Sequence, residues 1–268
     1  MTTKATRGLL PIALLAATTS ASAVADNKEE LAKQLANPVA SLISVPIQAN
    51  YDTNLGSNDG GERLLINVQP VVPFSLNDEW NLISRTILPV VSQQDIFPGA
   101  GDQFGLGDAV QSLFFSPKAV GASGWIWGAG PVMLLPTASE KLIGADKWGL
   151  GPTGVMLKQQ GPWTYGLLAN HIWSVGGKGN ADINATFLQP FLVYTTPSAY
   201  SLSFNTESTY DWESQQWAVP LNLNLAKITK IGDQLVSFGG GIRYWLDGPE
   251  TGAEGFGVRL TFTLMFPS

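Results

Sequence analysis

The stretch Phe256-Gly257-Val258-Arg259-Leu260-Thr261-Phe262-Thr263-Leu264-Met265-Phe266 decides the fold. Phe256, Val258, Leu260, Phe262, Leu264 and Phe266 occupy every second position, with Gly257, Arg259, Thr261, Thr263 and Met265 between them. A period of two sustained over this length is a β-strand with one apolar and one mostly polar face. A long strand of this kind, with an arginine on its polar side, suits a sheet closed on itself in lipid, apolar face outward.

Bulk composition agrees. Charged residues are 13% of the chain, against about 25% in ordinary soluble proteins. No run approaches the ~18 consecutive apolar residues of a membrane helix. Low charge, 29 Gly and 9 Trp therefore favour an all-β membrane protein, with a soluble sugar-binding β-sandwich as the alternative. The chain has no cysteine, which excludes disulfides and thiolate chemistry. The net charge of −6 argues against a nucleic-acid partner.

Residues 1–25 read as a signal peptide. Lys4 and Arg7 precede an apolar centre from Gly8 to Ala17, and Ala23-Val24-Ala25 supplies a small-residue cleavage site. Residues 26–38 carry a short helix: Glu29 and Glu30 lie in its first turn, Leu31 and Leu35 share one side, and Pro38 stops it. So short a helix is marginal alone and must lean on the barrel's rim or fill its lumen.

From residue 39 to 268 the period is two, in about twelve segments, an even count as in bacterial barrels. The expected fold is thus a transmembrane antiparallel β-barrel preceded by a short helix. The connections Asp52–Gly61, Ser92–Leu106, Thr137–Lys147, Gly176–Asp182, Glu213–Gln216 and Asp247–Glu254 follow odd strands. Most are longer than the turns after even strands, such as Gln159–Pro162 and Thr195–Ala199. Long loops on one side and short turns on the other match outer-membrane barrels with both termini in the periplasm. Trp80, Trp125, Trp163 and Tyr200 begin strands after short turns and form an inner aromatic girdle; Trp148, Trp173, Trp212, Trp217 and Trp245 form the outer one. Pro46, Pro70, Pro89, Pro131, Pro152, Pro190 and Pro220 fall inside strands, where each removes a ladder hydrogen bond and forces a local irregularity.

Few ionisable groups fall on the inward faces: Arg85, Glu207, Asp211, Arg243 and Arg259. Charge on the lipid side costs about 2–4 kcal/mol near the midplane, which forces these groups inward. They read as a lumen network of ion pairs or as a constriction that selects solutes. His171 is the only histidine. A hydrolase would use it as base, but Ser174 lies three residues away on the opposite strand face, and a structural histidine near the rim is the simpler reading. One histidine, no cysteine and no clustered carboxylates leave no metal site and no cofactor to expect. Gly105-Leu106-Gly107-Asp108 and Gly239-Gly240-Gly241 open no helix and lack a following lysine, so neither is a phosphate loop.

Several stretches resemble the bacterial outer-membrane family named for the MetA pathway of phenol degradation. They are Leu35-Ala36-Asn37-Pro38-Val39-Ala40-Ser41-Leu42-Ile43-Ser44-Val45-Pro46, Gly105-Leu106-Gly107-Asp108, residues 130–137 (Gly-Pro-Val-Met-Leu-Leu-Pro-Thr), residues 147–153 (Lys-Trp-Gly-Leu-Gly-Pro-Thr), Asn170-His171-Ile172-Trp173-Ser174 and Gln189-Pro190-Phe191. The resemblance covers nearly all of the chain after the signal peptide and includes the in-strand prolines. It implies an outer-membrane barrel taking up small, often aromatic or hydrophobic, compounds, and it supplies no catalytic or binding residues.

The expected function is passive uptake of a small solute across the outer membrane, with lipids of that membrane as the surrounding partner and no enzymatic activity. Two alternatives stand beside it. One is an acyl hydrolase acting on lipids with His171 as base. The other is a closed barrel that binds a partner through Ser92–Leu106 and Thr137–Lys147.

Overall fold

The computed structural model describes residues 28–267. The expected signal peptide lies outside them. Twelve strands build one sheet. They are β1 (Ile43–Leu55), β2 (Gly61–Val68 and Val71–Ser75), β3 (Trp80–Gln94), β4 (Asp102–Leu106 and Ala109–Pro117), β5 (Trp125–Leu135) and β6 (Lys147–Gln160). Then follow β7 (Trp163–Gly177), β8 (Asn184–Thr195), β9 (Tyr200–Thr206 and Ser208–Asp211), β10 (Gln216–Ile231), β11 (Gln234–Asp247) and β12 (Gly255–Phe266). Each strand pairs antiparallel with the next. The barrel closes where β12 meets β1, in register from Ile43↔Phe266 to Tyr51↔Val258. Closure leaves no unpaired edge, which is the condition for a sheet to cross lipid.

Three strands are broken, and proline lies at or beside the break in each; at the β4 break Gly107 N donates to the Pro89 carbonyl of β3 at 2.9 Å. Pro70 interrupts β2; Gln69 N donates instead to the Pro46 carbonyl at 2.8 Å, and the Pro70 carbonyl accepts from Thr86 N at 3.1 Å. The break in β9 falls at Glu207, flanked by Pro190 on β8 and by Pro220 on β10, where the register with β11 also shifts. On β5 and β6, Pro131 and Pro152 face each other directly. A proline has no N–H to give the ladder, so the wall yields at these points while the strands continue.

The alternation in β12 places Phe256, Val258, Leu260 and Phe266 outside and exposed, and Arg259 and Met265 inside and buried. An aromatic rim marks the short-turn end: Trp80 meets Trp127 edge-on at 5.8 Å, Trp163 meets Tyr194 at 4.8 Å, and Lys227 lies 4.4 Å over the Tyr200 ring. At the other end Tyr210 sits between Trp212 and Trp217, at 4.8 and 4.9 Å. Trp245 corrects the expected outer girdle. It points into the barrel, stacks against the Arg243 guanidinium at 4.7 Å and donates its Nε1–H to Asp52 Oδ1 at 2.9 Å.

The helix spans residues 28–35 and is steadied by a Glu29–Lys33 pair at 2.7 Å. Residues 26 and 27, where the expected helical stretch begins, lie outside the described residues. Of rim and lumen, the chain takes the lumen. Leu31, Ala32 and Leu42 pack on Ala199, Ile228 and Met265, the inner surface at the short-turn end. Asn37 Oδ1 accepts from Val39 N at 3.0 Å and turns the chain after Pro38. Val39 then inserts among Ile83, Phe114, Val155, Leu157 and Leu168 on the opposite wall. Lys33 O accepts from Gln159 Nε2 at 2.8 Å. Residues 28–42 therefore cross the inner end of the lumen from wall to wall.

Candidate functional site in the lumen

Above this segment, β9 to β12 and β1 supply a charged belt. Arg259 grips Glu207 with both arms of its guanidinium, Nη1 to Oε1 at 2.9 Å and Nη2 to Oε2 at 2.7 Å, and its Nε–H donates to Asn50 Oδ1 at 2.7 Å. Two-pronged charge-assisted geometry of this kind is the strongest form of the pair. Arg259 belongs to β12 and Glu207 to β9, so the side chain reaches across β11 and β10. Gly241 faces Arg259 in register, and the backbone of β10 comes so close there that a Cβ would collide with the Leu223 carbonyl. Arg243 completes the group, 3.3 Å from Asp52 and 3.9 Å from Glu207.

Two further guanidinium groups face the same lumen without a carboxylate in ion-pair contact among the described residues. Arg63 Nε donates to Gln93 Oε1 at 2.8 Å, and Arg85 Nη2 donates to Gln69 Oε1 at 2.8 Å. Between Arg85 and the N-terminal segment lies a cavity of about 300 Å³, bounded by Gln69, Phe191, Ser201, Ser203 and Asn205 among others.

The sequence-predicted residues thus separate. Arg85, Glu207, Arg243 and Arg259 share the lumen. Asp211 does not join them: it sits where β9 ends and accepts from Glu213 N at 3.0 Å and Ser214 Oγ at 2.7 Å, holding its own turn at the outer mouth. Asn50, Asp52 and Arg63 belong to the belt and were not among the expected residues. Asp52 was assigned to a loop, yet β1 runs on to Leu55. The alternation Gln48, Asn50, Asp52 carries the signal, one residue past the expected strand end at Tyr51.

His171 lies outside. It shares a face with Trp173, whose ring is 4.0 Å away, and its Nδ1 is 2.7 Å from Thr186 Oγ1 on β8. Thr186 Oγ1 also accepts from Trp212 Nε1 at 2.9 Å. Ser174 turns the other way, to Asp182 Oδ1 at 3.2 Å. The second ring nitrogen, Nε2, has no partner among the described residues, so no serine hydroxyl stands where a triad would hold its nucleophile. No group of three or more metal-ligating side chains occurs among the described residues.

No family model matches the chain, and no curated relative does. Solved structures do. The chain is similar to the COG4313 outer membrane channel from Pseudomonas putida F1, with a TM-score of 0.65 at 15% identity over 84% of this chain and 96% of that one. The fold is an outer-membrane β-barrel. Outer membrane phospholipase A from Escherichia coli also aligns, with a TM-score of 0.48 at 12% identity over 84% of this chain and 96% of that one. So does the Salmonella typhi outer membrane phospholipase, with a TM-score of 0.48 at 12% identity over 90% and 98%.

Proposed function

We propose that the protein is a passive outer-membrane channel for small solutes, stopped at its inner end by residues 28–42. The observation that carries this reading is the lumen cavity of about 300 Å³, polar on one side and apolar on the other, held between the charged belt and the N-terminal segment. A filled barrel would have no such space, and nothing in the wall requires it. The resembling barrel from Pseudomonas putida F1 is itself an outer membrane channel, which agrees. The quoted sequence stretches support the finer placement in the family named for the MetA pathway, with apolar or aromatic compounds as cargo. Surrounding lipid and a small solute are the partners this reading requires; energy coupling is not, since the solute runs down its own gradient.

Vesicle swelling tests the proposal. Liposomes holding the folded mature chain are expected to admit glycerol and to exclude a trisaccharide such as raffinose. Liposomes that admit neither, with the barrel folded, contradict it.

A further inference from the structure

The protein carries a net charge of −6, yet its lumen belt sets four guanidinium groups, of Arg63, Arg85, Arg243 and Arg259, against the carboxylates of Asp52 and Glu207. Glu207 is already held on two prongs by Arg259, and Asp52 is taken up by Arg243 and the Trp245 N–H. The excess positive charge therefore rests on Arg63 and Arg85. Only Arg85 lines the cavity. A guanidinium has five N–H donors, and the side chain of Arg85 uses one of them, to Gln69, among the described residues. Arg85 is only partly buried where it lines the cavity.

From this arrangement we infer that the cavity is a binding site for a small organic anion, a carboxylate with an apolar body. Arg85 receives the carboxylate, because a planar fork of donors matches two oxygens. Gln69 fixes the fork through its carbonyl oxygen, and the Asn205 amide N–H and the Ser201 hydroxyl offer further hydrogen bonds from the β9 wall. Phe191, Val193 and Val71 give the apolar part of the ligand a surface that water covers poorly. A bare inorganic anion would meet the charge and leave that surface wet. The belt above the site, positive in sum, draws the anion inward as a lined cleft focuses a field. The inference names the solute class of the channel proposed above and rests on that reading for entry to the cavity.

Calorimetry on the full mature chain, folded in detergent and checked by heat-modifiable mobility, tests it with benzoate, benzamide and acetate as probes. Benzoate is expected to bind at least about tenfold more tightly than benzamide, which lacks the charge, and than acetate, which lacks the body. Arg85→Gln should lose that preference, and Arg85→Lys should keep only part of it, because a point charge does not grip both oxygens. Equal binding of benzoate and benzamide by the unaltered chain overturns the inference, whatever the variants do. So does full benzoate affinity in Arg85→Gln. Glycerol swelling of liposomes made from the same preparation separates the two readings. Swelling without benzoate preference breaks the anion site alone; benzoate binding without swelling breaks the channel alone.

Discussion

The inner stop and the charged belt of the lumen are held by different physics. The inner end is stopped by one continuous segment, residues 28–42, held by apolar contacts of Leu31, Ala32, Val39 and Leu42. The belt is part of the wall: Asn50, Asp52, Glu207, Arg243 and Arg259 come from four strands and lock one another by ion pairs and hydrogen bonds. A segment that docks by burial can leave without disturbing the sheet. A belt whose ion pairs interlock cannot lose a member without stranding the rest. The inner end is therefore expected to be the movable part and the belt the fixed part.

The sharpest way to break this comparison is to empty the belt of its central acid. Glu207→Ala leaves Arg259 and Arg243 facing each other, and removing one partner of a buried pair costs about 3–5 kcal/mol. The urea midpoint of the folded barrel should fall accordingly; an unchanged midpoint would mean that water already neutralises the belt. Leu31→Ala tests the inner stop. It should loosen docking of the helix by about 2 kcal/mol or more, read as faster trypsin cleavage at Lys33, while the urea midpoint of the barrel barely moves. If both variants shift the same midpoint equally, stop and belt are one unit and the distinction fails.

A smaller effect is expected on the outside. His171→Ala removes a hydrogen bond worth about 1 kcal/mol and should leave conductance and swelling unaltered, because the ring faces away from the lumen. A fall in solute flux would return His171 to the functional site. The smallest effect is at the outer loops, where Lys147 Nζ donates to Asp182 Oδ1 at 2.9 Å and ties the entry of β6 to that of β8. The lysine holds the Asp182 carboxyl below its ordinary 3.8. With a depressed carboxyl the contribution is present at neutral pH and vanishes only as the pH falls through that lowered value. Hydrogen exchange at Ile183 should thus quicken in strong acid, and little above it. Asp182→Asn should show the quicker rate at every pH.

Much of this was legible in the sequence because a strand's period is two. Parity in β12 alone put Arg259 inside and Leu260 outside, and the same rule fixed Arg85, Glu207 and Arg243. Where the rule was not followed to the end of the strand, residues were lost: Asp52 shares parity with Gln48, and Trp245 shares it with Arg243. Trp245 was placed by its closeness to a loop, while its alternation pointed inward. Other features have no local signature. That Arg259 meets Glu207 depends on the strand stagger, and that Val39 crosses to Phe114 depends on barrel width. A helix with Leu31 and Leu35 on one side shows that it needs a surface, not which one.

The most direct test of the central claim is single-channel conductance of the refolded chain in planar bilayers, with and without residues 26–37. The full chain should give small or infrequent steps, and the shortened chain larger and steadier ones. Identical steps from both, or silence from a shortened chain that has demonstrably folded, would contradict an inner end stopped by a movable segment.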